Sequence, residues 1–220
     1  TNNNAGLLPK DKADAIVRAC DEVIAGKWAE EFIVDAIQGG AGTSANMNMN
    51  EVIANRAGEL LGCPKGSYKM VHPNDHVNMA QSTNDVIPTA GKLTVLDLLA
   101  PLEKALGRLE RELAKKAEEF DDVITMGRTQ LQDAVPIRLG QVFHGYASMV
   151  ARDRKRIEKA HKEMYTVNLG GTAVGTAINV SDSYFYKIVP NLEKLTGYPL
   201  RQAEDLFDAT ENLDGFVAVS

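Results

Sequence analysis

Leu99, Leu102, Leu106, Leu109 and Leu113 step alternately by three and four positions, which lays a narrow apolar row along one side of a long α-helix. Such a row cannot remain in water, so it requires helical partners and points to a bundle. Arg108, Glu110, Arg111 and Glu112 fall between the leucines, with Lys115, Lys116, Glu118 and Glu119 beyond them, and these mark the solvated faces. A second row, Phe143, Tyr146, Val150, Ile157, Ala160 and Met164, repeats the heptad with one interruption at Asp153, and a third helical run starts near Tyr184. Partners for these rows can come from other subunits. Pro101, just before Leu102, is expected to kink or restart the first long helix.

Residues 11 to 25 place Ala13, Ile16, Val17, Cys20, Val23 and Ile24 on one helical face, with Gly26 as a stop. A Gly-rich turn at 39 to 42 leads into a second helical stretch ending near Gly62, and "CPKGSYKMVHPNDHVN" reads as loop. No strand-alternating region, internal repeat or low-complexity tract stands out. The expected fold is therefore mainly α, with residues 1–81 as part of an N-terminal domain and residues 82–220 as part of a central helical-bundle domain.

Composition narrows the function. The net charge of −6, with no block of five like charges, argues against a nucleic-acid partner or an anionic membrane surface. No apolar stretch approaches the roughly 18 residues that a membrane span needs. Cys20 and Cys63 lack the paired spacing of zinc or redox sites, which fits a reduced, intracellular chain. Beginning at Thr1 and ending inside the apolar run "GFVAVS", the sequence reads as a piece of a longer protein.

Three polar stretches interrupt the helical pattern: "GGAGTSANMNMNE" at 39 to 51, "HPNDHVNMAQSTNDVIPTA" at 72 to 90, and "GRTQLQDAVP" at 127 to 136. Taken singly, each reads as helix capping. Thr43 or Ser44 can cap the second helix, Ser82, Thr83, Asn84 or Asp85 the long one, and Asp133 the next, with Pro136 in its first turn. A nucleotide loop does not fit the glycines, because no Lys precedes the Ser or Thr and no strand precedes the turn. Taken together, three clusters of hydroxyls and amides at helix starts suit carboxylates: the helix end offers unpaired N–H groups and partial positive charge, and Ser, Thr and Asn add neutral donors. An acidic chain can hold a small dicarboxylate in this way.

The strings "GGAGTSANMNMNEVIANRA", "HPNDHVNMAQSTND", "MGRTQLQDAVPIRLGQ" and "NLGGTAVGTAIN" resemble successive blocks of the aspartase/fumarase superfamily, in the same order, over most of residues 10 to 215. The wording is closer to the aspartases, in "GGAGTS" and in Gln130, than to class II fumarases, which usually read "GSGTQ" and carry His at that place. The resemblance implies elimination of ammonia from L-aspartate to give fumarate through a dianionic aci-carboxylate, an intermediate that must be stabilised by donors aimed at the developing charge.

Carried over by motif, Thr43, Ser82 and Thr83 grip the carboxylate beside the acidic proton, with Ser44 offering a further hydroxyl. Asn84 helps to hold the amine, Thr129 the other carboxylate, and Gln130 sits beside the leaving group. His72, Asn74 and Asp75 resemble a secondary anion site of fumarases, although "HPND" is also a plain turn. His72 and His76 do not make a metal site, since Pro73 argues against a helix across them and no third ligand is evident. His144 and His161 are expected to be structural or exposed. No cofactor and no metal are expected.

The family's base is a Ser on a loop patterned "GSSxMPxKxNP", and no such string occurs in residues 1–220. The chain alone is thus expected to be inert or nearly so. The resemblance also implies a homotetramer with sites assembled from different subunits. Two other readings remain open: a class II fumarate hydratase, and a non-catalytic helical assembly protein.

Overall fold

The computed structural model describes residues 1–37 and 39–220. The described residues form two compact units, Thr1–Lys92 with Tyr165–Leu213, and Leu93–Met164 with Asp214–Ser220.

In the first unit, α1 (Lys10–Ile24) packs against α2 (Thr43–Leu60). Small residues build the contact: Ala15, Ala19, Ala54 and Ala57 are buried together with Ile53 and Val71. Ile16, Cys20, Val23 and Leu60 close its edges. The buried face of α1 therefore centres on two alanines rather than on the expected row, and Val17 and Ile24 are left 57% and 84% exposed. Periodicity of large apolar residues marks a helix correctly, but a closely approaching pair of backbones selects small side chains for its centre. After α2 the loop contains a single π-type turn, Pro73–Val77.

Helix α3 (Thr83–Glu119) is continuous over 37 residues, through both Pro88 and Pro101. The expected restart at Pro101 does not occur. Each proline removes one N–H from the helical ladder and frees the carbonyl four residues earlier. At Pro88 that carbonyl belongs to Asn84, and the Asn168 side-chain amide takes it at 3.0 Å. A partner from elsewhere in the unit thus substitutes for the missing helical donor.

In the second unit, β1 (Ile124–Thr129) and β2 (Gln132–Arg138) form an antiparallel hairpin. This corrects two expectations, that no strand is present and that Asp133 caps a helix with Pro136 in its first turn. Asp133 lies opposite Arg128 and bonds its Nε at 3.0 Å, and Pro136 lies opposite Met126. Both strands are edges of a two-stranded ladder, where a proline is tolerated. A bulge follows Gly127, and β2 is exposed at all but one position. With neither face fully covered, the sequence carries no clean alternation of apolar and polar residues.

Helix α4 (Leu139–His161) starts only after the hairpin, with the Gln141 side chain accepting the Arg138 N–H at 3.0 Å. Gly140 lies so close to the Ala117 carbonyl and the Asp121 backbone that a Cβ would collide there. Leu96, Leu99, Val150, Ala160 and Met164 are buried in this unit, whereas Leu102 and Leu109 of the leucine row stay 44% and 47% exposed. Arg154 of α4 is paired with Glu110 of α3.

The chain then returns to the first unit through β3 (Thr166–Val167), α5 (Asp182–Thr196), β4 (Arg201–Gln202) and α6 (Leu206–Glu211). Strands β3 and β4 pair in parallel, and α5 begins near Tyr184 as expected. The final helix, α7 (Asp214–Val219), packs on α4 in the second unit. Among the described residues no helix is long and apolar enough to cross a membrane.

Candidate active site

The starts of α2 and α3 meet in the first unit. Gly42 precedes α2 with φ +86, and a Cβ on it would stand 3.2 Å from the Ile87 side chain on the first turns of α3. Glycine is thus favoured here by the left-handed backbone, and a Cβ would also press on the Ile87 side chain. Neither Thr43 nor Ser44 caps α2: the cap residue is Gly42, and the Thr43 hydroxyl donates back to the Gly40 carbonyl at 3.0 Å. Both hydroxyl residues are exposed.

Asn46 and Asn50, one turn apart on α2, are each only 5% exposed. Asn46 donates to the Thr83 hydroxyl at 3.0 Å, and Asn50 donates to the Asn78 side chain at 3.2 Å. Because Thr83 accepts from Asn46, its own hydroxyl proton is left to donate elsewhere. Ser82 does cap α3, its hydroxyl accepting the Asn84 N–H at 3.3 Å, while Asp85 accepts the Ser82 N–H at 2.9 Å. The two bonds cover donors on both sides of the helix start, as a capping box does, but the Ser82 hydroxyl takes the second N–H of the helix while the Asp85 N–H goes to the Ser82 carbonyl. Ser82 and Thr83 are half-buried and Asn84 is exposed, so neutral donors stand at the positive end of a long helix.

Asp85 is fully buried, and its second oxygen accepts the N–H groups of Gly170 at 3.1 Å and Thr172 at 3.0 Å. Burial pushes this carboxyl above its ordinary range, and the three backbone N–H groups pull against that shift. The nearby Tyr184 hydroxyl is held from ionising by burial and then by the charge of Asp85. The same loop takes the Asn84 side chain, which donates to the Ala173 carbonyl at 2.6 Å. Sequence reading treated Asp85 only as a possible cap. Its loop partners lie 85 and 87 positions away, and "STND" signals the local half of the arrangement alone.

His72, Asn74 and Asp75 form their own turn in the same unit. His72 Nδ1 accepts the N–H groups of Asn74 and Asp75, each at 3.3 Å, and the Asp75 carboxylate lies 3.4 Å from it. His76 closes the turn, its Nδ1 accepting the His72 N–H at 2.8 Å. Thr129 and Gln130 fall in the second unit, at the exposed hairpin tip. Gln130 and Leu131 make a two-residue turn with φ of +48 and +68, the backbone of a type I′ hairpin built without its usual Asn or Gly.

A family model described as Lyase matches residues 1–220. The chain belongs to this lyase family, within the aspartase/fumarase superfamily. It is 54% identical to the aspartate ammonia-lyase of Bacillus sp, covering 100% of this chain and 47% of that protein. It is 53% identical to the aspartate ammonia-lyase of Bacillus subtilis strain 168, covering 100% of this chain and 46% of that one. Two crystal structures share the fold. A fumarate lyase:delta crystallin from Brucella melitensis bound to cobalt superposes with a TM-score of 0.92 at 49% identity, covering 99% of this chain and 47% of that one. A class II fumarase from Schistosoma mansoni gives 0.90 at 36% identity, covering 99% and 49%. The chain thus spans about half the length of the curated relatives it matches.

Proposed function

We propose that this chain contributes to an ammonia-lyase that removes ammonia from L-aspartate to give fumarate. The observation that carries the reading is the start of α3, where Asn46 supplies a hydrogen to Thr83 and so leaves the Thr83 proton available to an anion. A carboxylate gaining charge as the neighbouring carbon loses its proton is stabilised by such fixed donors, each worth about 3 kcal/mol in the transition state. Thr43, Ser44, Ser82 and Thr83 are the residues proposed for that carboxylate and Asn84 for the amine. Thr129 is proposed for the second carboxylate and Gln130 for the place beside the leaving group. A neutral Gln cannot transfer a proton as His can, which suits an amine that departs with its own protons better than a hydroxyl. Thr43 must first release the Gly40 carbonyl.

His72, Asn74 and Asp75 are the weaker candidates, as a secondary anion site. His72 Nδ1 already serves the backbone, so only the other ring nitrogen can meet an anion. We further propose a cytoplasmic homotetramer, with residues 1–81 belonging to the N-terminal domain and 82–220 to the central bundle. Lacking a "GSSxMPxKxNP" string, the 220-residue chain alone turns over little or no aspartate.

The test joins this chain to the remaining half of an aspartate ammonia-lyase relative and follows fumarate. Conversion of L-aspartate but not L-malate is expected, with none from the chain alone. Conversion of L-malate instead would make the protein a fumarate hydratase, and conversion of neither would leave an assembly protein.

A further inference from the structure

Thr172 carries a β-branched side chain at φ +59 while being 6% exposed, a conformation such residues adopt only when their surroundings impose it. Its own hydroxyl does not impose it, because Thr172 Oγ1 is buried and has no hydrogen-bond partner among the described residues. Its backbone N–H is instead held by Asp85, together with that of Gly170. Gly175 closes the far end of the loop, packed so tightly on the backbone of Leu206 and Phe207 that a Cβ would collide. Asn84 is gripped twice, at its carbonyl through Asn168 just before these fixed points and at its side chain through the Ala173 carbonyl between them.

We propose that Asp85 is a positioning residue, whose carboxylate latches the strained Gly170–Thr172 backbone so that the loop fixes Asn84 at the open end of α3. Only a carboxylate serves. One oxygen faces the Ser82 N–H and the other faces the loop, whereas an amide has a single acceptor and must turn its NH2 toward one of them. A buried anion held by N–H groups is costly to keep, and the latch is what it supplies. The inference rests on reading the start of α3 as a substrate-binding end.

Amide hydrogen exchange on the 220-residue chain tests it. In Asp85→Ala, which removes both acceptor oxygens, Gly170 and Thr172 should exchange faster by about tenfold or more, the Asn84 side-chain amide signals should shift, and Ala54 and Ala57 should keep their rates. Adding Thr172→Gly should slow Gly170 exchange again, since glycine takes this backbone without strain. Unchanged rates at Gly170 and Thr172, or a uniform rise that includes Ala54 and Ala57, overturn the latch. Should Asp85→Ala not fold, Thr172→Gly alone is expected to raise the melting temperature by about 2–4 °C, and no rise overturns the proposal. Titration with fumarate of the joined, full-length protein described above separates the two readings: no shift at Thr83 and Asn84 there sinks the substrate site while leaving the latch standing.

Discussion

Asn168 donates its side-chain amide to the Asn84 carbonyl at 3.0 Å, the group that Pro88 deprives of a helical partner. The two residues are 84 positions apart, so a helix defect at one place is repaired from another. Asn168→Ala leaves that carbonyl without its partner and should cost about 1–3 kcal/mol in urea unfolding. In a Pro88→Ala background the restored N–H at position 88 takes the carbonyl, and most of that cost should vanish. What survives belongs to the bond that Asn168 also makes to Thr210 at 3.1 Å.

Asn46 is the tie between the two helix starts. Asn46→Ala removes the donor to Thr83 and the oxygen that Asn50 meets at 3.4 Å in a buried network, so thermal melting should show a loss of about 1–3 kcal/mol. Asn46→Asp should cost more, because it brings a buried charge against the Thr83 and Asn78 oxygens that Asn46 now serves.

Glu22 bonds Arg56 at 2.7 Å and Trp28 at 2.9 Å, and these two donors hold its pKa down to about 2 from an ordinary 4.5. A folded-state pKa below the unfolded one means stability that is fully present above pH 4.5 and lost as pH falls through the folded value. Acid melts should therefore show a Glu22-dependent loss between about pH 5 and pH 2. Glu22→Gln should flatten that part of the profile.

At the hairpin tip, Gln130 and Leu131 both hold a left-handed backbone, and Leu131 is 92% exposed. Replacing Leu131 with Gly should stabilise the chain by about 0.5–1 kcal/mol, since strain is relieved and no packed side chain is lost. A drop in melting temperature would show that this leucine is held by contacts beyond the turn. If Gln130 stands beside the leaving group, Gln130→Gly should leave folding intact while lowering turnover in the full-length enzyme.

The long helices were legible because leucines at steps of three and four survive any change in what covers them. The hairpin was not. Its strands are open on both sides, its turn lacks Asn-Gly, and Asp133 and Pro136 look like helix-start residues in isolation. The face of α1 was found only in part, through Ile16, Cys20 and Val23 at its edges, because Ala15 and Ala19 count for little in a search for large apolar side chains, although they set the approach of α2. At the candidate site the hydroxyls and amides could be named from the motifs. Their supports from the loop after Val167 could not, since Asp85 meets Gly170 and Asn84 meets Asn168 only through folding.

Leu102 and Leu109 stand about half open on α3, and their affinity for any covering surface is of an entropic kind. Apolar burial of this sort weakens on cooling. In the homotetramer proposed above, contacts closing over these two leucines should loosen in the cold and tighten on warming toward room temperature, which makes chilled storage the condition least favourable to it.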